Sequence, residues 1–199
     1  MFIRKCKITF ITHGATVHSV DGILSDSEKY PKLNDLGEEE IEKVCEYLKS
    51  RGVAYDKIYT SPSAKCTQSA HIIAKLFKKK TIPLNLSSRK LGEWEGRSIG
   101  EIFDEMGPKA ITKTPVDGEK LEDFNKRVSE VIDKLVEENQ GNRIIVVTTS
   151  DVIQAAIAKT LNLKPEAQFK NLIKTGSLTQ ISYFENGWAS IIYSDYTPV

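Results

Sequence analysis

Few side chains in this sequence can carry covalent or acid–base chemistry: three histidines, His13, His18 and His71, and three cysteines, Cys6, Cys45 and Cys66. His13 stands in Ile11-Thr12-His13-Gly14, directly after an apolar run, and a histidine delivered by a strand end is placed for nucleophilic or general-base work. His18 falls in a loop and His71 at a surface-leaning helix position, so both read as structural or solvated. Cys45 and Arg51 have the spacing of a cysteine phosphatase signature, but that chemistry needs a loop of backbone N–H groups between a strand and a helix. Cys45 falls mid-helix on an apolar face and reads as a core cysteine. Glu93 and Glu95 flank Trp94 as candidate proton donors; loop carboxylates are more often solvated or paired, here with Arg89, Lys90 or Arg97. Thr148-Thr149-Ser150-Asp151 gathers hydroxyls and a carboxylate at a helix start, where ordinary N-capping accounts for them.

The elements that must position these groups follow from periodicity. Ile8 to Ile11 is β-branched and aromatic and predicts a buried strand running into His13. Asp35 with Glu38 makes a capping-box-like start to a helix carrying Ile41, Val44, Cys45 and Leu48, which stops at Gly52. Lys57 to Thr60 is a strand, and Ser61-Pro62-Ser63 opens a helix with Ala70, Ile73, Ala74 and Phe77 inward, closed by Lys78 to Lys80. Residues 87–117, punctuated by Gly92, Gly96, Gly100 and Gly107, predict a loop-rich insertion with one short helix near Ile99 to Met106. Leu121, Phe124, Val128, Val131, Ile132 and Leu135 define an amphipathic helix, Arg143 to Val147 a strand, and a further helix runs to Leu161. Leu178 to Tyr183 and Trp188 to Tyr193, joined through Asn186-Gly187, predict a terminal hairpin. Strands alternating with helices imply an α/β class with a layered sheet, and no repeat or linker divides residues 1–199, so one domain is expected.

With 28 Lys plus Arg against 27 Asp plus Glu, the formal charge is +1, and no global field favours nucleic acid or an anionic membrane. An odd number of widely spaced cysteines disfavours a disulfide framework and a zinc site and fits a reducing cytoplasm. Neither a secretory leader nor a membrane-spanning apolar run is read. Without a Walker loop, HExxH, EF-hand or dinucleotide glycine motif, no cofactor and no metal are expected.

Five segments, in order, carry a resemblance: Ile11-Thr12-His13-Gly14-Ala15-Thr16, Leu33-Asn34-Asp35-Leu36-Gly37, Tyr59-Thr60-Ser61-Pro62, Leu91-Gly92-Glu93-Trp94-Glu95-Gly96 and Gly118-Glu119-Lys120-Leu121. Together they resemble the histidine phosphatase superfamily, the phosphoglycerate mutase-like proteins. The resemblance implies a three-layer α/β/α fold with a mostly parallel central sheet, and places His13 as the nucleophile that becomes a phosphohistidine. It also exposes departures. The family's arginine before the nucleophile is Thr12; its second arginine is Lys65, which keeps the charge but not the planar fork. The acid/base glutamate aligns with Ser88, the second histidine with Thr149, and an asparagine downstream of the nucleophile with Ser19. Asp151 places a carboxylate where a small neutral residue is usual and is expected to repel phosphate.

Two readings of His13 stand open: a phosphorylatable nucleophile, or an inherited strand-end histidine that only bonds its neighbours. Thr12, Lys65, Ser88 and Thr149 are the candidate phosphate-pocket residues, with Arg89 and Lys90 as a positive rim replacing the missing arginines. The expectation is a degenerate member that binds a small phosphorylated molecule, another anion or a protein partner. The alternatives are a phosphomonoesterase acting through His13 and a purely structural homodimer; mutase chemistry is disfavoured by so poor a cationic pocket.

Overall fold

In chain order the elements are β1 (Arg4–Thr12), α1 (Val17–Val20), α2 (Asp35–Ser50), β2 (Lys57–Thr60), α3 (Ala64–Phe77), β3 (Thr81–Pro83), α4 (Ile99–Met106), α5 (Leu121–Glu137), β4 (Arg143–Thr148), α6 (Ser150–Leu161), α7 (Pro165–Gln168), β5 (Leu178–Phe184) and β6 (Ala189–Tyr196). They come from a computed structural model, which describes residues 3–107 and 109–199. Single 3₁₀ turns at Gly92–Trp94 and Ala110–Thr112 flank α4.

The strands form one sheet in the order β3-β2-β4-β1-β5-β6. β3, β2, β4 and β1 run parallel, and β5 and β6 continue the sheet antiparallel. The parallel part must be covered on both faces, which is why β4 reads as an unbroken apolar run rather than an alternating one. Ile144 and Val146 face α5 and α6, together with Ile8 and Phe10 of β1. Ile145 and Val147 face α2 and α3, with Ile11 and Ile58. The architecture is therefore the expected three layers with a mostly parallel central sheet. No helix among the described residues is long and apolar enough to cross a membrane.

Two local expectations change. The N-cap of α2 is Asn34, whose side chain accepts from the Gly37 N–H at 2.9 Å, and Asp35 is the first helical residue. At the start of α6, Thr149 occupies the N-cap position but makes no capping bond with its side chain. Strand β3 and the one-turn helices α1 and α7 were not anticipated; each is too short to show a period.

What matters for function is where the parallel strands end. β1, β4 and β2 finish side by side at Thr12, Thr148 and Thr60, with Thr12 in register with Thr148 and Thr60 with Val147. In open α/β sheets the crevice beyond these carboxyl ends is the usual ligand position. Residues 87–117 lie beside it, built around their own small cluster of Trp94, Ile102 and Ala110.

Candidate active site

His13 follows the last residue of β1 and is held there by its backbone. Its N–H donates to the Thr148 carbonyl at 3.1 Å, and its carbonyl accepts from the Gly176 N–H at 3.1 Å. The next turn is fixed by close packing with the start of α2. A Cβ on Gly14 would stand 2.1 Å from the Gly37 carbonyl oxygen, and one on Gly37 would stand 2.1 Å from that of Ala15. The Leu33–Gly37 and His-Gly segments therefore fit each other: each supplies the glycine the other needs. The Gly14 N–H donates to Ser69 Oγ (3.1 Å), whose hydroxyl donates to the Lys65 carbonyl (2.8 Å). The Ala15 N–H donates to Glu40 Oε2 (2.8 Å), while Thr175 Oγ1 donates to Glu40 Oε1 (2.9 Å).

The imidazole is buried, 6% exposed. Its Nδ1 lies 2.8 Å from the Gly14 carbonyl oxygen. A carbonyl can only accept, so Nδ1 carries the proton and the lone pair sits on Nε2, the nitrogen a phosphoryl group would take. Burial, reinforced by the positive charge of Lys65, pushes the His13 pKa down to about 3 against the support of the Gly14 carbonyl for the charged form. The ring is therefore neutral at physiological pH.

Lys65, the second residue of α3, is itself 7% exposed, and its Nζ donates to the Ser25 carbonyl at 3.3 Å. The structure thus brings Lys65 into the electrostatic reach of His13. Thr12 goes elsewhere: its Oγ1 lies 3.3 Å from Ser177 Oγ, and because the Ser177 hydroxyl is given to the Lys174 carbonyl, Thr12 is the donor. Ser88 and Thr149 meet each other. Ser88 Oγ donates to Thr149 Oγ1 (3.0 Å), and Thr149 Oγ1 donates to Asp151 Oδ1 (2.5 Å). Asp151 completes the chain by accepting from the Val152 N–H (2.9 Å) and, across to the excursion, from the Arg89 N–H (2.8 Å). Ser19, for its part, is bound to Thr16: its Oγ accepts from the Thr16 N–H at 2.8 Å.

Arg89 departs from the expectation of a ligand-facing rim. Its guanidinium is buried and spends its donors on the carbonyls of Glu119 (2.8 Å), Ile111 (2.9 Å) and Lys113 (2.6 Å). It ties the excursion together over the Trp94 ring, 6.0 Å from its centroid. Glu93 and Glu95 are exposed, as loop carboxylates usually are, and their oxygens also accept hydrogen bonds. Glu93 Oε1 accepts from the Val116 N–H (3.2 Å); Glu95 accepts from Ser25 Oγ (2.9 Å) and the Asp26 N–H (2.7 Å). Lys90 is exposed at the edge of a cleft of about 600 Å³ that is also lined by Asp26, Glu28, Ser88, Asp117 and Arg127. Arg127 of α5 holds the Glu119 carboxylate in a fork (3.0 and 2.9 Å) and donates to the carbonyls of Ser87 and Ser88. Burial raises the Glu119 pKa, but the Arg127 bond and charge outweigh it and hold the carboxyl below its ordinary range.

Three other sequence candidates resolve simply. Cys45 is half-buried in α2, and burial with the neighbouring Glu42 and Glu46 pushes its thiol up to about 11, so it is no thiolate at neutral pH. His71 is exposed on α3, and His18 sits edge-on to Tyr30 with 5.1 Å between ring centroids.

The family model for the histidine phosphatase superfamily (branch 1) matches residues 8–195. The chain belongs to this superfamily. Among relatives of this histidine phosphatase superfamily member, a broad-specificity phosphatase of Saccharomyces cerevisiae is 27% identical over 195 residues, covering 94% of this chain and 83% of the relative. A 2,3-bisphosphoglycerate-dependent phosphoglycerate mutase of Thermoplasma acidophilum is 31% identical over 175 residues, covering 86% and 84%. In fold, the superfamily member is similar to a phosphoserine phosphatase of Entamoeba histolytica solved with 3-phosphoglyceric acid, with a TM-score of 0.85 at 20% identity over 96% of this chain and 98% of that one.

Proposed function

We propose that this histidine phosphatase superfamily member carries a degenerate phosphate pocket, which binds a small phosphorylated molecule or other anion, or a protein partner, and hydrolyses phosphomonoesters weakly or not at all. One observation carries the reading: Ser88, at the position where the resemblance implies the acid/base glutamate, is hydrogen-bonded to Thr149, where it implies the second histidine, and Thr149 in turn to Asp151. Neither hydroxyl can deliver a proton to a leaving oxygen at neutral pH, and neither brings charge to a phosphoryl group. Lys65 is the cation that remains beside His13, and a lysine there gives a point charge without a bidentate clamp. Groups that work as a catalytic unit fail together, so these losses do not simply add.

A second reading has its own support. The His13 tautomer leaves Nε2 unprotonated, as phosphohistidine formation requires, and the ring is neutral. On that reading the protein is a slow phosphomonoesterase in which Lys65 neutralises the phosphoryl group and water protonates the leaving group. Mutase action is disfavoured, since it must hold a second phosphate orientation with cations this pocket does not supply. The unpaired cysteines suit a reducing cytoplasm. A structural homodimer is the third reading, and sedimentation velocity decides it.

The test is hydrolysis of p-nitrophenyl phosphate from acid to neutral pH at high protein concentration, wild type against His13→Ala. Equal, background-level rates support the degenerate pocket. Turnover comparable to ordinary phosphatases, abolished by His13→Ala, refutes it.

A further inference from the structure

The segment between α1 and α2 turns at Gly22, whose φ of +68° suits glycine, and residues 24–28 then run between the start of α3 and the excursion. Ser25 gives its carbonyl to the Lys65 ammonium, and Glu28 gives its carbonyl to the Ala64 N–H at 2.7 Å. Lys65, bound by this strap, and His13 are both more than nine-tenths buried. On its outer side Asp26, Ser27 and Glu28 line the cleft that also reaches Ser88. The strap therefore stands between the open cleft and Lys65, and it occupies a donor of that ammonium.

Leu24 anchors one end of the strap to the excursion through backbone, its N–H donating to the Arg97 carbonyl and its carbonyl accepting from the Gly96 N–H, both at 2.9 Å; beyond that anchor the tie is a reciprocal pair of carboxylates. Glu95, from the excursion, accepts from Ser25 Oγ at 2.9 Å and the Asp26 N–H at 2.7 Å. Asp26, from the strap, accepts from the excursion's Leu91 N–H at 2.6 Å. Each side caps backbone of the other, with charge-assisted bonds that are stronger than neutral ones. Two further side-chain contacts of the strap, Ser87 Oγ to Glu28 Oε1 and Ser25 Oγ to the Tyr30 carbonyl, are both long at 3.4 Å.

We infer that residues 24–28 are a lid latched over Lys65 and His13 by the Asp26–Glu95 clasp, and that a small ligand reaches His13 when the clasp opens. The lid gates access whether or not His13 turns substrate over, so its test does not depend on catalysis.

The experiment is carbethoxylation by diethyl pyrocarbonate, followed residue by residue by mass spectrometry. The imidazole Nε2 lone pair attacks a carbonyl carbon, ethyl carbonate leaves and breaks down to ethanol and carbon dioxide, and the Nδ1 proton is lost to solvent. His71, exposed on α3, is the internal reference. In the wild type His13 should react far more slowly than His71. Glu95→Gln and Asp26→Asn should each raise the ratio of His13 to His71 labelling by about tenfold, the equivalent of one charge-assisted hydrogen bond. Glu105→Gln, which breaks an exposed ion pair with Arg97 on the same excursion, should leave the ratio unchanged. An unchanged ratio in both clasp variants overturns the lid. So does an equal rise in Glu105→Gln, which would show general loosening rather than a latch.

Discussion

Removing the Asp151 carboxylate tests whether the polar network beside His13 is structural. Asp151 accepts three hydrogen bonds, from Thr149 Oγ1, the Val152 N–H and the Arg89 N–H, and the last joins α6 to the excursion. Hydrogen bonds to a charged acceptor contribute about 1.5–3 kcal/mol each, but Thr149 can turn its hydroxyl toward other acceptors and the Val152 N–H sits in a first helical turn that water can reach. The Arg89 N–H has no such relief, because Arg89 is 4% exposed. Leaving it unpaired while losing the other two in part sums to about 3 kcal/mol for Asp151→Ala. For a domain of this size that is a fall of roughly 6–12 °C in Tm. Asp151→Asn keeps one acceptor oxygen and should cost about 1 kcal/mol, since its amide can serve fewer of the three donors. Urea unfolding read by tryptophan fluorescence, with Trp94 in the excursion and Trp188 in the hairpin as reporters, measures both. An Asp151→Ala variant within about 0.5 kcal/mol of wild type, the range of an ordinary surface change, would refute the tether.

Further outcomes follow from the same geometry. His13 makes stability depend on pH. The unfolded ring takes its proton near 6.5 and the folded one only near 3, so this stability is fully present above pH 6.5 and is lost as pH falls from 6.5 toward 3. Urea titrations over that range should show a slope in the wild type that His13→Asn flattens. Arg89→Ala should lower stability by about 2–4 kcal/mol through three unpaired carbonyls, while leaving phosphate affinity by calorimetry unchanged. Gly37→Ala should cost about 3 kcal/mol or more, because its methyl meets the Ala15 carbonyl at 2.1 Å; the yield and melting temperature of the purified variant check it.

The layers and the place of the site were legible because they rest on strong periodicities and on a strand leading straight into His13. The continuous apolar run of β4 dictates a strand covered on both faces, and α5 carries an unbroken inward stripe. What the sequence concealed was direction. Arg89 and Asp151 announce charge, but only the fold shows that Arg89 turns inward to three carbonyls and that Asp151 accepts from its backbone. Glu93 and Glu95 are exposed as loop carboxylates are expected to be, but nothing in a loop's composition tells which backbone N–H groups will come within their reach. Glu40, Ser69 and Arg127 lie on helices whose apolar spacing was clear, yet spacing does not say which polar turn meets the nucleophile loop or the excursion. Glu119 had a signal, since it stands in a segment already matched to the family.

On the proposed reading, it is Ser88 and Thr149 rather than His13 that leave this site without turnover. The most direct measurement is kcat for p-nitrophenyl phosphate in three proteins side by side: wild type, His13→Ala, and the rebuilt Ser88→Glu/Thr149→His. The account predicts that wild type and His13→Ala are alike near background, and that the rebuilt protein gains turnover of about 10²-fold or more, the usual contribution of a positioned acid, which His13→Ala then abolishes. A wild-type rate well above that of His13→Ala, falling or unchanged on rebuilding, would contradict it and show that the site has found other groups for the same chemistry.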